Sequence, residues 1–425
     1  MNSDKNFYNT VAQVCFKHFK TLPKTGKPNN TEWTILSCIV LENGGSFEVV
    51  ALGTGTKCIG KDKMLETGDI LNDSHAEVIC RRAFIRYIFH QMKKDDSPLL
   101  IFDTQSKKFT LKPNTKFHFF TTHVPCGDAA IFPRQDAEDF GDLIPQKDNE
   151  TLSESTKSGA ASGTLVESSE IPLKRRKINA NDYGLSDSRK LDIHRTGAKC
   201  LATDKKQDSK LPGPAYHTLG CVRTKPGRGV PTLSVSCSDK LSKWCHLGVQ
   251  GAFLSLLLEA PLYLSSFTIA GKTPFCIEAL QRALFGRLGE VTVELPYARH
   301  TLFIGQSDME FEFSKRDDRK PCSSCIIWCR VPSQSLEVAV DGKRQGVVKK
   351  KQNTSVARLK ICKLELFKLF KEVCDARNII QEKDDASYDD FKQLSTGYQR
   401  AWDCLRKCFR TWTVKDKGLL KFNFR

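Results

Sequence analysis

One imidazole, one carboxylate and two thiols stand out in this 425-residue sequence as groups that could do chemistry together. His75 and Glu77 are separated by a single residue, Cys126 follows a proline, and Cys237 lies in a Ser-Cys-Ser-Asp-Lys segment. A histidine and two cysteines can supply three zinc ligands and leave a fourth position for water, as in catalytic zinc sites. Zinc lowers the pKa of that water towards neutrality, and a carboxylate that is not a ligand is free to move protons. These residues predict a hydrolytic zinc site with ligands His75, Cys126 and Cys237, and with Glu77 as its acid/base.

The spacing is close to the H-x-E…P-C-x-x-C pattern of zinc nucleobase deaminases, with one difference. Ala129 stands where the second cysteine is expected, so the third ligand must come from elsewhere. Residues 321–325 match P-C-x-x-C literally through Cys322 and Cys325, but the residues after them favour a strand where such a site needs a helix. We therefore expect Cys237 to complete the ligand set, and Cys322 and Cys325 to be ordinary reduced thiols.

The local pattern predicts that these groups lie at the ends of secondary-structure elements. Residues 72–74 are strong N-cap types, and apolar residues then recur at helical spacing, which places His75 and Glu77 in the first turn of a helix. Residues 117–122 are expected to form a strand that leads to Cys126, and residues 232–236 another that leads to Cys237. Each cysteine would then meet a helix N-terminus, where the dipole favours a thiolate.

The rest of the chain predicts a single α/β domain over residues 1–425, with an opening helix near residues 11–19. Residues 146–211 are rich in Ser, Thr, Asp, Lys and Gly, which predicts a mostly disordered insertion. Its basic run at 174–177 is a solvated charge run or a nuclear-import signal. Further expected elements are strands at 33–41, 47–52, 262–269 and 291–295, helices at 239–259 and 274–288, and C-terminal helices at 355–376 and 386–411.

Composition favours an intracellular protein with a polyanionic partner. The formal net charge is +17 and the sequence pI about 9.1. The 17 cysteines form an odd set without a disulfide framework, which suits a reducing compartment. There is no long apolar run and no signal-peptide core, so we expect a soluble monomer with no membrane partner, in the cytoplasm, the nucleus or both.

Six segments of the sequence resemble the adenosine deaminases acting on RNA. Two of them, 194–200 (His-Arg-Thr-Gly-Ala-Lys-Cys) and 225–229 (Lys-Pro-Gly-Arg-Gly), are most similar to the branch of that family that acts on tRNA. The resemblance covers nearly the whole chain except its divergent middle. The other matching segments are 53–59, 71–77 with Arg81-Arg82, 125–128 and 236–240.

The resemblance implies a fold and an activity. The fold is α/β, a cytidine-deaminase-like mixed sheet flanked by helices, and the activity is hydrolysis of adenosine to inosine at the nucleotide 3′ of the anticodon in tRNA-Ala. Thr56 and Lys57 match residues that contact the target nucleotide. Zinc chemistry by itself does not distinguish adenosine from cytidine.

Two alternative functions stay open. One is editing of double-stranded RNA in mRNA, which an early start of the catalytic domain disfavours. The other is a zinc-stabilised RNA-binding module without catalysis, which has no use for Glu77.

The C-terminal helical part, residues 340–425, has an excess of positive charge. From Asp341 to Arg425, Lys and Arg outnumber Asp and Glu by 21 to 11, and cations that become buried need a partner. The family resemblance implies that this partner is inositol hexakisphosphate, enclosed in the fold as a structural cofactor; the alternative is a surface patch for RNA. Trp402 stands where the mRNA editors have lysine, and Lys243 where they have arginine. The implied polyphosphate-binding residues are Asn72, Arg81, Arg82, Lys240, Lys243, Lys363, Tyr388, Lys392, Tyr398, Trp412 and Lys415.

Overall fold

The computed structural model describes residues 2–134, 192–227, 230–380 and 385–423. Its α-helices are α1 (Asn2–Thr21), α2 (Ala76–Met92), α3 (Cys237–Leu247), α4 (Gly251–Leu257), α5 (Ile277–Leu284), α6 (Lys363–Arg377), α7 (Tyr388–Gln393) and α8 (Thr396–Cys408). Its strands are β1 (Glu32–Trp33), β2 (Leu36–Asn43), β3 (Ser46–Thr54), β4 (Thr56–Cys58), β5 (Asp73–His75), β6 (Leu100–Asp103), β7 (Lys108–Leu111), β8 (Thr115–Thr121), β9 (Phe132–Pro133), β10 (Ile193–His194), β11 (Lys199–Cys200), β12 (Arg223–Thr224), β13 (Ser266–Ile269), β14 (Phe303–Gln306), β15 (Lys320–Pro321), β16 (Cys325–Cys329), β17 (Leu336–Val340) and β18 (Lys343–Arg344).

A central sheet of eight strands has the order β14-β13-β8-β2-β3-β16-β17-β18. Strands β8, β13 and β14 run parallel to one another, and the remaining neighbours pair antiparallel. The sheet is therefore mixed, and helices flank it, which confirms the α/β architecture expected from the sequence. The parallel part matters for function, because ligands of α/β sheets bind beyond the carboxyl ends of parallel strands.

Alternation along β2 explains why both faces of the sheet are covered. Ile39 belongs to a buried cluster with Ile79 of α2, whereas Val40 belongs to a second cluster with Val11 of α1. Successive side chains of a strand point to opposite faces, so a strand with consecutive apolar residues must be buried on both. The C-terminal helices extend this core: Phe367 of α6 joins the α2 cluster.

Several predicted elements are wrong in extent or type. Residues 239–259 form two helices, because Gly248 takes a φ of 75° that ends α3. Residues 386–411 likewise divide into α7 and α8. Helix α5 is shorter than predicted, and α6 begins eight residues later than predicted.

The predicted strand at 291–295 is absent, and the sheet strand in this part of the chain is β14. Val291 and Val293 instead pack against α8, in the cluster that contains Leu405 and Phe409. The apolar residues of this segment alternate as in a strand, but they pack against a helix instead of pairing in a sheet.

The predicted insertion at 146–211 falls largely outside the described residues, as does the basic run at 174–177. Its last part is described: β10 and β11 lie within 192–211, in agreement with the order expected for 194–200. In the described part of the chain, no helix combines the length and the apolar character needed to cross a membrane.

Candidate active site

The structure brings His75, Cys126 and Cys237 together from three distant parts of the chain. Their ligand atoms all lie within 4.8 Å of one another, an arrangement that could hold a metal ion. The Nδ1 atom of His75 is 3.9 Å from Sγ of Cys126 and 3.7 Å from Sγ of Cys237. Cys322 and Cys325 do not belong to this group; the thiol of Cys325 donates to the carbonyl of Ala339 at 3.5 Å within the sheet.

His75 is placed by a junction between strand and helix. It ends β5 and occupies the N-cap position of α2, so it lies just before the helix instead of in its first turn, where the sequence predicted it. The predicted capping residues 72–74 precede it, and the Asp73 carboxylate accepts a hydrogen bond from the His75 backbone N–H at 3.0 Å. Glu77 follows in the first turn of α2, as predicted.

Cys126 follows β8, as predicted, and lies in a tight loop that packs against the start of α3. The helix expected to begin after Cys126 is instead a single 3-10 turn, Asp128–Ala130. Gly127 has a φ of 104°, and a Cβ there would lie 2.2 Å from Oγ of Ser236, so only glycine fits without strain. The Cys126 carbonyl accepts hydrogen bonds from the backbone N–H and the hydroxyl of Ser238 at 3.1 and 3.0 Å. These contacts fix the loop before any metal binds.

Cys237 is the first residue of α3, as predicted for a thiol at a helix N-terminus. Its backbone N–H donates to Sγ of Cys126 at 3.3 Å, and Ser236 caps the helix by accepting from the Asp239 N–H. The predicted strand at 232–236 is wrong, because these residues are irregular apart from one isolated bridge between Val235 and Thr224. A hydrogen bond from the Cys237 side chain, against the opposing effect of burial, holds the pKa of the Cys126 thiol well below its ordinary value.

Glu77 is buried beside this cluster and is not one of the three metal-ligand candidates. It is 1% exposed, and its Oε2 atom has no hydrogen-bond partner among the described residues. Burial raises the pKa of Glu77, although the nearby His75 and Lys225 partly counteract this effect. A buried carboxylate with a free oxygen is poised to exchange a proton with a bound molecule.

Lys225 and Asp73 are two site residues to which the sequence assigned no role in the chemistry. The Lys225 ammonium is buried and donates to Sγ of Cys237 at 3.0 Å and to Asp73 at 2.8 Å. Burial alone would raise the pKa of Asp73, but Lys225 and Lys240 hold it well below its usual range. Both residues lie in segments that matched the family, which was a signal that they matter, but their pairing across 152 positions could not be foreseen.

Thr56 and Lys57 lie close to the metal-ligand candidates through strand pairing. They belong to β4, which pairs antiparallel with β5 so that Thr56 is opposite His75 and Lys57 is opposite Ser74. Both residues are partly buried. The pairing places the two predicted substrate contacts next to the predicted chemistry.

All eleven residues predicted to bind a polyphosphate line one cavity of ≈ 420 Å³. Ten of them are buried or partly buried, and Lys415 is exposed. Among the described residues that line this basic cavity, seven are Lys or Arg, and Asp73 is the one carboxylate. Burial, with the nearby charges of Lys415, Arg82 and Lys392, lowers the pKa of Lys363 to about 7.

Trp402 also lines the basic cavity, where it contacts the other position that departs from the family pattern. The Lys243 ammonium lies 3.4 Å from the centroid of the Trp402 ring and 5.4 Å from that of Tyr398. A cation over an aromatic face is attracted by the ring quadrupole. The pair Lys243–Trp402 thus stabilises one positive charge where a second lysine would add another. Burial lowers the pKa of Lys243 well below its usual range.

The segment 194–200 contacts the metal-ligand loop. The hydroxyl of Thr196 accepts a hydrogen bond from the Gly127 backbone N–H at 3.0 Å and another from Ala198 at 3.2 Å. The Arg-Thr-Gly motif at 195–197, which resembles the tRNA-acting branch of the family, therefore lies next to the metal-ligand group.

Comparison with known proteins identifies a family. The sequence model of the adenosine-deaminase (editase) domain matches residues 51–416. The tRNA-specific adenosine deaminase 1 of Mus musculus is 37% identical, over 95% of this chain and 97% of that protein. The protein of the same name from Drosophila melanogaster is 37% identical, over 97% and 96% of the two chains. The double-stranded RNA-specific adenosine deaminase of Mus musculus is 26% identical, over 96% of this chain and 31% of that protein.

Proposed function

The chain belongs to the adenosine-deaminase (editase) domain family, and from this premise we propose that it hydrolyses adenosine to inosine in tRNA. The observation that carries the proposal is Glu77, a buried carboxylate with an unpartnered oxygen beside a group of His75, Cys126 and Cys237. A purely structural metal site needs no such carboxylate. The tRNA substrate is supported by relatives that are named for tRNA and are similar to this chain from end to end.

The donor set fits a catalytic zinc ion. One imidazole nitrogen and two thiol sulfurs within 4.8 Å match the ligand types that zinc prefers, and three protein ligands are typical of catalytic sites. Zinc held there supplies a nucleophilic water at neutral pH. The ammonium of Lys225, 3.0 Å from Sγ of Cys237, favours the thiolate form that a metal requires.

Glu77 is the group that moves protons. It accepts a proton from the attacking water and gives it to a ring nitrogen of the adenine, as the water oxygen bonds to the carbon that carries the amino group. It then takes the proton of that new hydroxyl and delivers it to the amino group, which leaves as ammonia when the C–N bond breaks and the carbonyl of inosine forms. Its raised pKa favours this role, because an acid/base works best when its pKa lies near the working pH.

The finer part of the proposal concerns the RNA. We assign the target to the nucleotide 3′ of the anticodon in tRNA-Ala, with Thr56 and Lys57 as contacts to the target nucleotide. Support comes from the pairing of β4 with β5, which sets these residues opposite His75 and Ser74. A flipped or unpaired adenosine is the form of substrate that such a site can reach.

We also propose that the basic cavity encloses inositol hexakisphosphate as a structural cofactor. A cavity of ≈ 420 Å³ lined by seven cations and one carboxylate, Asp73, is electrostatically unfavourable unless an anion is present. Burial and the neighbouring cations together lower the pKa values of Lys243 and Lys363. Partial burial of most lining cations disfavours the alternative of a surface patch for RNA.

Inosine mapping tests the proposed function directly. Total tRNA from cells with and without the gene is sequenced for inosine, and a tRNA-Ala transcript is incubated with the purified protein. We expect inosine at the nucleotide 3′ of the anticodon only when the protein is present, and none with Glu77→Gln prepared in parallel. Unchanged inosine in cells that lack the protein, together with no product in vitro, would refute the proposal.

A further inference from the structure

A second cavity, of ≈ 250 Å³, lies at the carboxyl ends of two parallel strands of the central sheet. Thr122 and His123, which follow β8, line one side of the cavity. Lys272 and Thr273, which follow β13, line another side of the cavity. The hydroxyl of Thr273 donates to the carbonyl of Thr122 at 3.0 Å and ties the two strand ends together. The position is the usual one for a ligand in an α/β fold.

Aromatic rings form much of the wall of this cavity. Trp33, His123, Phe132 and His194 all line it, and Phe132 and His194 pack with their ring centroids 4.5 Å apart. His123 is partly buried. These rings offer stacking surfaces and a ring nitrogen to a planar polar molecule.

Three cations stand at the same cavity, and they differ in how they are paired. Arg195 pairs with Asp192 at 3.2 Å, and Lys272 with Glu310 at 2.9 Å. Lys315 has no carboxylate within 4 Å among the described residues, and its ammonium lies 6.0 Å from the centroid of the Trp33 ring. An exposed cation without a partner, next to an aromatic face, is the combination that single-stranded nucleic acid binds.

The reacting adenosine must reach the group of His75, Cys126 and Cys237 and the carboxylate of Glu77. None of these four residues lines the second cavity, although His123 precedes Cys126 by only three positions. The second cavity is therefore beside the site of chemistry and separate from it. RNA that delivers one nucleotide to the metal-ligand group must place a neighbouring nucleotide nearby.

We propose that the second cavity binds a nucleotide next to the target adenosine, with its base against Trp33 and His123 and its phosphate at Lys315. This inference rests on the proposed function and deepens it, because it names residues that select the nucleotide flanking the target. A loop nucleotide suits such a pocket, because an unpaired base can leave the stack and lie on an aromatic side chain.

The test is a cycle of protein and RNA changes read out as binding affinity. Trp33→Ala is combined with anticodon stem-loop RNAs that are intact, or that carry an abasic site on the 5′ or 3′ side of the target adenosine. We expect Trp33→Ala to weaken binding of the intact RNA by roughly 5- to 100-fold. Trp33→Ala should have almost no effect on the binding of the abasic RNA that lacks the base proposed to stack on Trp33. The exposed Phe303, which does not line the cavity, is the matched control as Phe303→Ala.

An equal loss of affinity on the intact RNA and on both abasic RNAs would overturn the inference. Melting temperature and metal content report whether Trp33→Ala is folded. If it is not, Lys315→Ala carries the test: removal of one phosphate contact should lower the slope of log Kd against log salt by roughly 0.7 to 0.9, and Lys315→Arg should restore it. An unchanged slope would contradict the inference, as would an equal decrease in Lys116→Ala at the amino end of β8.

The two proposals fail in different ways. If the parent protein forms no inosine in any RNA, the proposed function fails, while the affinity cycle still reports on the cavity. If inosine forms normally and the cycle shows no coupling between Trp33 and either flanking base, the function stands and the assignment of this cavity is wrong.

Discussion

The metal-ligand group and the basic cavity lie on either side of Asp73, and they differ in whether their charged groups are paired with opposite charges. On the metal side, Asp73 faces Lys225, whose ammonium also contacts Cys237, so that opposite charges are paired. On the cavity side, Asp73 pairs with Lys240, while Lys243 lies over the rings of Trp402 and Tyr398 and Lys363 donates to the carbonyl of Leu419 at 3.0 Å; neither lysine has a carboxylate within 4 Å among the described residues. One region is neutralised by its own residues, and the other is not.

This difference indicates which of the two regions can form without a bound ligand. The metal-ligand group is held by backbone hydrogen bonds and paired charges, so we expect its geometry to exist before metal binds. Buried cations without partners are costly, and removing an anion from among them leaves that cost uncompensated. We therefore expect changes at the metal site to affect chemistry first, and changes in the basic cavity to affect stability first.

The largest expected effect comes from Glu77→Gln. This change removes the proton shuttle and keeps the shape of the side chain, so deamination should fall by roughly 10²- to 10⁴-fold. Metal content and RNA affinity should stay unchanged, because Glu77 is not a ligand. Ammonia release, elemental analysis and RNA titration measure the three quantities, with the exposed Glu290→Gln as control. Ammonia release at the parental rate would show that another group moves the proton.

Metal content distinguishes Cys237 from the cysteines of the P-C-x-x-C segment. Cys237→Ala should lose nearly all bound zinc, because two protein ligands rarely hold the ion against competition from solvent. Cys322→Ala and Cys325→Ala remove thiols that lie outside the metal-ligand group, so about one zinc per chain should remain in each. Elemental analysis of the three purified variants decides, and the reverse pattern would restore the literal motif as the ligand set.

Smaller effects on stability are expected from Lys363→Ala and Lys392→Ala. If a polyphosphate fills the basic cavity, each variant loses a charge-assisted hydrogen bond worth about 1.5–3 kcal/mol, and the melting temperature should fall by a few degrees. Lys349→Ala, at an exposed lysine outside the cavity, is the control. Mass spectrometry of the denatured parent protein should detect a ligand with six phosphates. Its absence from stable, active protein would refute enclosure.

The most subtle expectation is a change in pH dependence. Lys363 has a pKa of about 7 in the fold, against an ordinary value of 10.5. Between these values the unfolded chain binds more protons than the folded one, so the free energy of unfolding should rise with pH in the absence of an anion.

A bound polyphosphate favours the charged lysine and should reduce this rise or reverse it. Denaturant unfolding at pH 7 and pH 9, with and without added inositol hexakisphosphate, measures both slopes. Lys363→Met should flatten the anion-free slope, whereas Lys349→Met should not. An anion-free protein that becomes less stable from pH 7 to pH 9 would argue against buried, uncompensated cations.

The sequence by itself determined which groups could form a metal site and predicted most of the elements next to them. His75 directly precedes a helix, Glu77 lies in its first turn, and Cys237 begins another helix with a serine cap. Local rules therefore placed Glu77 and Cys237 correctly and His75 one residue from the helix. The resemblance to the deaminase family also anticipated the mixed α/β fold, and the eleven residues for which it implied a polyphosphate all line the basic cavity.

Only the tertiary structure decided where regular structure stops and which charges meet. Residues 291–295 have the alternation of a strand but pack against α8, and residues 239–259 bend at Gly248, whose backbone conformation local pattern does not reveal. The pairing of Asp73 with Lys225 joins positions far apart in the chain. Periodicity reports which face of an element is apolar, whereas contacts across the fold depend on how those faces pack, and that is why the link between the metal-ligand group and the basic cavity appears only in three dimensions.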